Sequence, residues 1–275
     1  PACNRHYPIQ RGIAVVLPEK TRAVLNEKNG YNAPGMLSAY LWSHFGDLLN
    51  EKQATDAYQI WSNSFQQKIN GDALDVGCAV GRLSFELTKT HNQVIGMDTS
   101  LAFISKAREI LHKKKLDFDL IVEGHITEKR TLNFNNGWNF NNIDFIVADA
   151  LALPFRQQNF STVAAINILE KVPNPLKHLQ EVNRVLQQDT SMFLFSDPFS
   201  WDATVSPPEQ WLGGNGNAQY SARGINTIRR LFSGEYGIFN PPLSIKAQGD
   251  VSWKIRKTEN LWEYITSQFL VGHRQ

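Results

Sequence analysis

The residues whose types and spacing could do chemistry begin at Ala73-Leu74-Asp75-Val76, a short apolar run carrying an acid. Gly77-Cys78-Ala79-Val80-Gly81 follows, and then Arg82-Leu83-Ser84-Phe85-Glu86-Leu87, with Leu83 and Leu87 at helical spacing. Strand, tight turn and helix in that order open a doubly wound α/β domain. Small residues at 77, 79 and 81 let the backbone lie directly against a ligand, since a larger side chain would hold it off. The helix start adds unpaired N–H groups. Gln93-Val94-Ile95-Gly96-Met97-Asp98 reads as the next strand. Its terminal carboxylate could accept both hydroxyls of a ribose, or cap the helix that follows.

Two ligand classes use such a turn. A dinucleotide fingerprint requires Gly at 77, 79 and 82. Ala79 and Arg82 break it, and Arg82 is expected to crowd helix against strand. Acid-x-Gly-x-Gly-x-Gly fits better through Asp75, Gly77 and Gly81, with Ala79 one methyl away. That pattern resembles the first motif of class I S-adenosylmethionine-dependent methyltransferases. The resemblance extends over roughly residues 72–200, through Asp98, Asp144–Ala150, Leu153-Pro154-Phe155, Asn159–Val163, Val172–Pro175 and Met192–Phe195. Ser161, Lys171 and Gln188-Asp189-Thr190 depart from the family's usual residues. The resemblance implies an α/β, Rossmann-like seven-stranded sheet, mostly parallel with an antiparallel last strand and helices on both faces. It implies S-adenosylmethionine as cofactor and S-adenosylhomocysteine as product. Asp75, Gly77, Cys78, Ala79 and Gly81 would hold the methionine side, Asp98 with Thr99 the ribose, and Asp149 with Ala150 the adenine.

Methyl transfer from a sulfonium is an in-line displacement in which the reactive group belongs to the cofactor. The protein has to hold donor and acceptor at near-attack distance, so no nucleophile–base set is required. Asn167, just after the fourth strand, is the candidate catalytic position and a further cofactor contact. It could accept a hydrogen bond from a substrate N–H or cap the helix beginning near Asn174. The loop at about 196–224 is rich in Trp, Pro and Gly, a composition suited to specificity. Its Pro198-Phe199-x-Trp201 and Trp211-Leu212-Gly213-Gly214 sets, with the Gly-Cys-Ala-Val-Gly-Arg turn, resemble the C-terminal methyltransferase domain of ovothiol-synthesis enzymes. That resemblance implies a small-molecule acceptor methylated at an imidazole nitrogen of a histidine-derived compound. Asp197, Phe199, Trp201 and Trp211 become substrate candidates.

These motifs need a frame. Residues 1–18 read as a small β-ribbon, with Tyr7-Pro8-Ile9 and Ile13–Leu17 about a turn. Cys3 within its Tyr-Pro-Ile pattern resembles the end of a zinc-ribbon-type module that accompanies some methyltransferases. One candidate thiol makes no metal site. Residues 19–70 read as a helical lid segment, with helices over Glu19–Lys28, Met36–Leu49 and Thr55–Lys68. Tyr31, Tyr40 and His44 could close the site, although an aromatic at helical spacing also serves a core. Residues 71–275 form the methyltransferase domain, with an Asn-rich insertion at about 120–142 read as a surface hairpin. Val251–Arg256 and Trp262–Val271 read as the last two strands.

The formal charge of +2 over 275 residues gives no basic stripe for a nucleic acid. Two distant cysteines make no disulfide framework. No apolar run reaches the ~20 residues of a membrane span. A cytoplasmic protein with a small-molecule partner is expected, and the pattern leaves the oligomeric state open. The alternative to catalysis is a scaffold that binds the cofactor without turnover, and a tRNA or protein acceptor is a further one.

Overall fold

The structure is a computed structural model that describes residues 5–24, 30–65, 70–216 and 219–274. Cys3 and parts of the expected 19–28 and 55–68 helices lie outside the described residues.

At the centre lies β3 (Ala73–Val76), whose side chains alternate between two cores. Ala73 points to one face with Leu194 and Phe145, and Leu74 and Val76 to the other with Phe193 and Phe195. That is the period-2 geometry of a strand buried on both faces. β4 (Val94–Asp98), β7 (Ile143–Ala148), β8 (Thr162–Ile166) and β9 (Ser191–Asp197) run parallel to β3. β10 (Ser244–Arg256) and β11 (Trp262–Arg274) close one side, longer than the sequence pattern indicates, with β11 antiparallel to β9.

These seven strands have the order β7-β4-β3-β8-β9-β11-β10, but the sheet does not stop there. β1 (Ile9–Gln10) and β2 (Ile13–Val16) form an antiparallel pair, and β2 joins β7 in parallel through Val15 and Val16. The sheet therefore has nine strands, not seven, and β1 is a second strand running against its neighbour. Ile13 and Val15 are buried, so the ribbon's inward face continues the main core.

Helices α2 (Pro34–Phe45), α3 (Ala57–Asn63), α4 (Arg82–Leu87) and α5 (Leu101–Lys113) pack on one face. α6 (Pro175–Val185) and α7 (Gly224–Phe232) cover the other. α1 (Glu19–Val24) precedes them in the chain. Ser100 caps α5 by accepting from the Phe103 N–H at 3.2 Å, and Lys114 in the left-handed region ends it. Asn174 caps α6 in the same way, with Pro175 in its first turn.

The insertion differs from a surface hairpin over 120–142. Its two strands, β5 (Lys115–Glu123) and β6 (Ile126–Asn133), start earlier, and the Asn-rich run after them is part of the core. Phe134 and Trp138 are buried, and Trp138 stacks on Phe85 with centroids 5.2 Å apart. The aromatic residues interleaved with the asparagines set this outcome. Asn142 donates to the carbonyls of Thr88 and His91, fixing the run beneath α4.

Arg82 does not crowd the turn. Its guanidinium is fully buried and reaches α2 instead, donating to the His44 carbonyl at 2.8 Å and to both Asp47 carboxylate oxygens at 2.7 and 3.0 Å. Glu86 accepts from Nε at 3.1 Å. The turn after β3 and the C-terminal end of α2 are thereby one unit.

Candidate active site

A cavity of about 990 Å³ opens at the carboxyl ends of β3, β4, β7 and β8, where ligands bind in open α/β sheets. Its first wall is the turn after β3. Gly77, Ala79 and Gly81 all have positive φ, at 75°, 46° and 88°. Ala79 holds the left-handed conformation without being glycine, a mild strain of about 1–2 kcal/mol. The turn is fixed by the Met97 carbonyl, which accepts from the N–H groups of both Gly77 and Cys78. Gly81 itself does not line the cavity. A Cβ there would stand 2.7 Å from the Phe145 ring, so its role is close helix–sheet packing.

Asp98 accepts from Ala79 N–H at 3.0 Å and Ser100 N–H at 2.8 Å, one bond to each oxygen. Burial pushes its pKa up to about 6. A carboxylate has about four acceptor positions, so lone pairs for two hydroxyls remain. The helix cap is Ser100, leaving Asp98 to brace the turn. Asp75 is buried, accepts from the Ser84 hydroxyl at 2.6 Å, and has its pKa raised to about 7, chiefly by desolvation. Asp149 accepts from Leu151 N–H at 2.8 Å and from the Thr21 hydroxyl at 2.5 Å, so α1 reaches across to the third acid. Cys78, Thr99 and Ala150 line the same cavity. Asn167 does too, at φ 56°, with its side-chain carbonyl oxygen buried and without a hydrogen-bond partner. It does not cap α6, because Asn174 does so with its own side chain.

The opposite half is aromatic. Tyr31 and Tyr40 meet edge to face at 5.8 Å, and Tyr40 lies 4.9 Å from Phe103. The Tyr58 hydroxyl is 2.6 Å from His44 Nε2, and His44 Nδ1 is buried with no partner. Trp253, Tyr264 and Ile265 of the β10–β11 pair complete this side.

Of the substrate candidates, Tyr40 and His44 line the cavity, whereas Asp197, Phe199, Trp201 and Trp211 do not. Phe199 fills the space left by Gly224, where a Cβ would approach its ring to 2.2 Å. Trp201 and Trp211 stack on each other at 6.1 Å and 10°, and Trp211 Nε1 donates to the Ser206 carbonyl. Asp197 is buried, accepting from Phe199 N–H at 2.8 Å. Burial, with Glu170 second, pushes its pKa up to about 8. The loop's aromatics pack against its own fold, and among its described residues only Pro198 and Ser200 reach the cavity.

Thr21, Tyr58, Glu170, Trp253 and the Lys257–Glu263 ion pair were not legible as site residues. Glu170 is buried and ion-paired to Lys171 at 2.7 Å, and it accepts from the Ser200 hydroxyl at 2.7 Å. Lys171, visible only as a departure from a family pattern, is the one sequence signal that pointed here.

Residues 74–194 match the family model described as a methyltransferase domain. Among curated proteins, the chain is 28% identical over 144 residues to the ubiquinone/menaquinone biosynthesis C-methyltransferase UbiE of Rickettsia typhi, covering 51% of each chain. It is 27% identical over 148 residues to the demethylmenaquinone methyltransferase of Staphylococcus haemolyticus, again 51% of each. The chain thus spans about half the length of the curated relatives it matches. Among solved structures, the YcgJ protein of Bacillus subtilis superposes with a TM-score of 0.52 at 14% identity, over 80% of this chain and 98% of that one. A S-adenosylmethionine-dependent methyltransferase of Methanosarcina mazei gives 0.51 at 18%, over 80% and 99%. The match assigns a methyltransferase domain to residues 74–194, on a fold that the superposed structures share, and the methyl donor such a domain uses is S-adenosylmethionine. The residues present fit that cofactor: a bare-backbone turn, a half-buried acid with spare lone pairs, and an unpartnered Asn167 oxygen share one cavity.

Proposed function

We propose that this protein methylates a small ring-bearing molecule, at an imidazole nitrogen of a histidine-derived compound. The observation that carries this reading is that one cavity is lined by both the motif residues and the aromatic residues. Its 990 Å³ stands at the upper end of the roughly 300–1,000 Å³ of small-molecule sites, which suits a cofactor and a small acceptor together. In this reading Asp75, Gly77, Cys78 and Ala79 shape the methionine side with Gly81 packing the turn behind them, Asp98 and Thr99 hold the ribose, and Asp149 and Ala150 meet the adenine. Asp149 would give up the Thr21 hydroxyl to accept the adenine amino group. Bound S-adenosylmethionine supplies an electrophilic methyl group on sulfur. The chain's own part is to orient the acceptor, exclude water, and offer the Asn167 oxygen to an acceptor N–H.

The relatives' names favour a second reading, methyl transfer to a ring carbon of a quinone precursor. Both readings use the aromatic wall, and acceptor screening separates them.

Calorimetric titration with S-adenosylhomocysteine, beside an Asp98→Ala variant, tests the cofactor assignment. Removing a carboxylate that accepts two ribose hydroxyls should weaken binding by about 3 kcal/mol or more, over a hundredfold. Unaltered affinity in the variant would sink the ribose role, and no binding by the intact protein would sink the methyltransferase reading. Turnover assays with thiol-histidine, other imidazoles and a demethylated quinol then decide the acceptor. Tight binding without turnover on any of them supports a scaffold.

A further inference from the structure

His44 is 3% exposed and lines the cavity from α2, yet its Nδ1 has no hydrogen-bond partner. A buried polar atom left unpaired costs about 1–3 kcal/mol, so an unpaired one beside a ligand cavity points to an atom the ligand supplies. The ring's tautomer follows from counting hydrogens. If Tyr58 donates its hydroxyl to Nε2 at 2.6 Å, then Nδ1 carries the proton and one N–H is unsatisfied. If Nε2 donates to Tyr58 instead, the Nδ1 lone pair and the Tyr58 hydrogen both lack partners. The first arrangement leaves fewer buried groups unpaired. Nδ1 is therefore a donor, and it seeks an oxygen.

The surroundings say which kind. Burial and the Arg82 cation hold the His44 pKa well below its ordinary value, so the ring is neutral. Arg82 is itself paired with Asp47 and Glu86. Tyr40 packs on the His44 ring at 5.8 Å, and Tyr58 feels the nearby Asp75 carboxylate. A neutral N–H donor, with an acid close by that could take an ammonium, is complementary to an α-amino acid.

We infer that His44, buttressed by Tyr58, is a carboxylate-recognising residue whose Nδ1–H takes the carboxylate of an amino-acid end bound in the cavity. The inference rests on the methyltransferase reading above, in which Asp75 lies on the methionine side. The carboxylate has two possible sources, the cofactor's methionine end or an amino-acid acceptor. A hydrogen bond to a charged group contributes roughly 10- to 100-fold in affinity.

The experiment measures calorimetric affinities of wild type, His44→Ala, His44→Asn and Tyr58→Phe for S-adenosylhomocysteine and for 5′-methylthioadenosine, which lacks the amino-acid end. Asparagine places an amide N–H close to where Nδ1 stands and serves as the rescue variant. For a cofactor carboxylate, His44→Ala loses roughly 10- to 100-fold for S-adenosylhomocysteine and nothing for 5′-methylthioadenosine, with most of the loss recovered in His44→Asn. Tyr58→Phe gives a smaller loss of the same selectivity. For an acceptor carboxylate, both nucleosides bind all variants equally, while His44→Ala erases the preference of the S-adenosylhomocysteine-loaded protein for L-histidine over histamine. Equal weakening for both nucleosides assigns His44 a structural role and overturns the inference. So does an absence of any selective change in both comparisons. Wild type that binds neither nucleoside would instead remove the methyltransferase reading.

Discussion

Replacing Arg82 by Met removes the guanidinium that joins the β3 turn to α2 while keeping most of the side-chain volume. The half-buried carboxylate of Asp47 and the buried one of Glu86 then lose their shared cation. Breaking a buried ion pair by removing one partner costs about 3–5 kcal/mol. Here the lower end applies, because Glu86 keeps Lys89 at 2.6 Å and Asp47 keeps Gln59 Nε2 at 3.0 Å with its side chain 11% exposed. The His44 carbonyl also loses its donor. A fall of about 3 kcal/mol lowers the urea midpoint by roughly 1 M at a slope near 3 kcal/mol/M, read from tryptophan fluorescence. Arg82→Lys should recover only part of it, since lysine cannot make the bidentate contact with Asp47. In a double-mutant cycle, Arg82→Met and Asp47→Asn should couple by about 1 kcal/mol or more. A midpoint shift below about a third of that expected, with coupling near zero, would show that α2 is held by its apolar face alone.

Three further outcomes follow from the same geometry. Asp75 titrates near 7 in the folded chain against about 4 when unfolded. The folded state therefore favours its protonated form, and the acid costs stability progressively as pH rises from about 4 to about 7. The stability difference between wild type and Asp75→Asn, measured by urea titration from pH 4 to 8, should move against wild type across that window and level off above it. A flat difference refutes the shift. Gly81→Ala forces a Cβ to 2.7 Å from the Phe145 ring at a φ of 88°, and should destabilise by about 2–4 kcal/mol; thermal unfolding checks it. Trp211→Ala removes a stacked ring that lies off the cavity, so it should lower the melting temperature and leave S-adenosylhomocysteine affinity within a factor of about two.

Much of the frame was legible because its signals are local. Asp75, Gly77 and Gly81 mark a strand-to-helix turn by spacing and backbone freedom, and Asp98 and Asp149 follow at the ends of the next core strands. Asn174 begins a helix by capping chemistry that a few residues contain. These features depend on neighbours within about one helical turn, so the order of residues alone determines them. What escaped the sequence depends on partners far along the chain. The β1–β2 pair enlarges the sheet because β2 finds the free edge of β7, more than a hundred residues on. The Asn-rich run is core because Phe134 and Trp138 meet Phe45 and Phe85 across the fold. The loop aromatics Phe199, Trp201 and Trp211 had the composition of a substrate wall but spend their area on α7 and each other. The wall is built instead from α2, α3 and the β10–β11 pair. Residue types and spacing therefore determined the glycine turn and the acids beside it, while only tertiary packing decided which aromatic residues face the cavity, since composition gives a ring's hydrophobicity but not the direction in which it is buried.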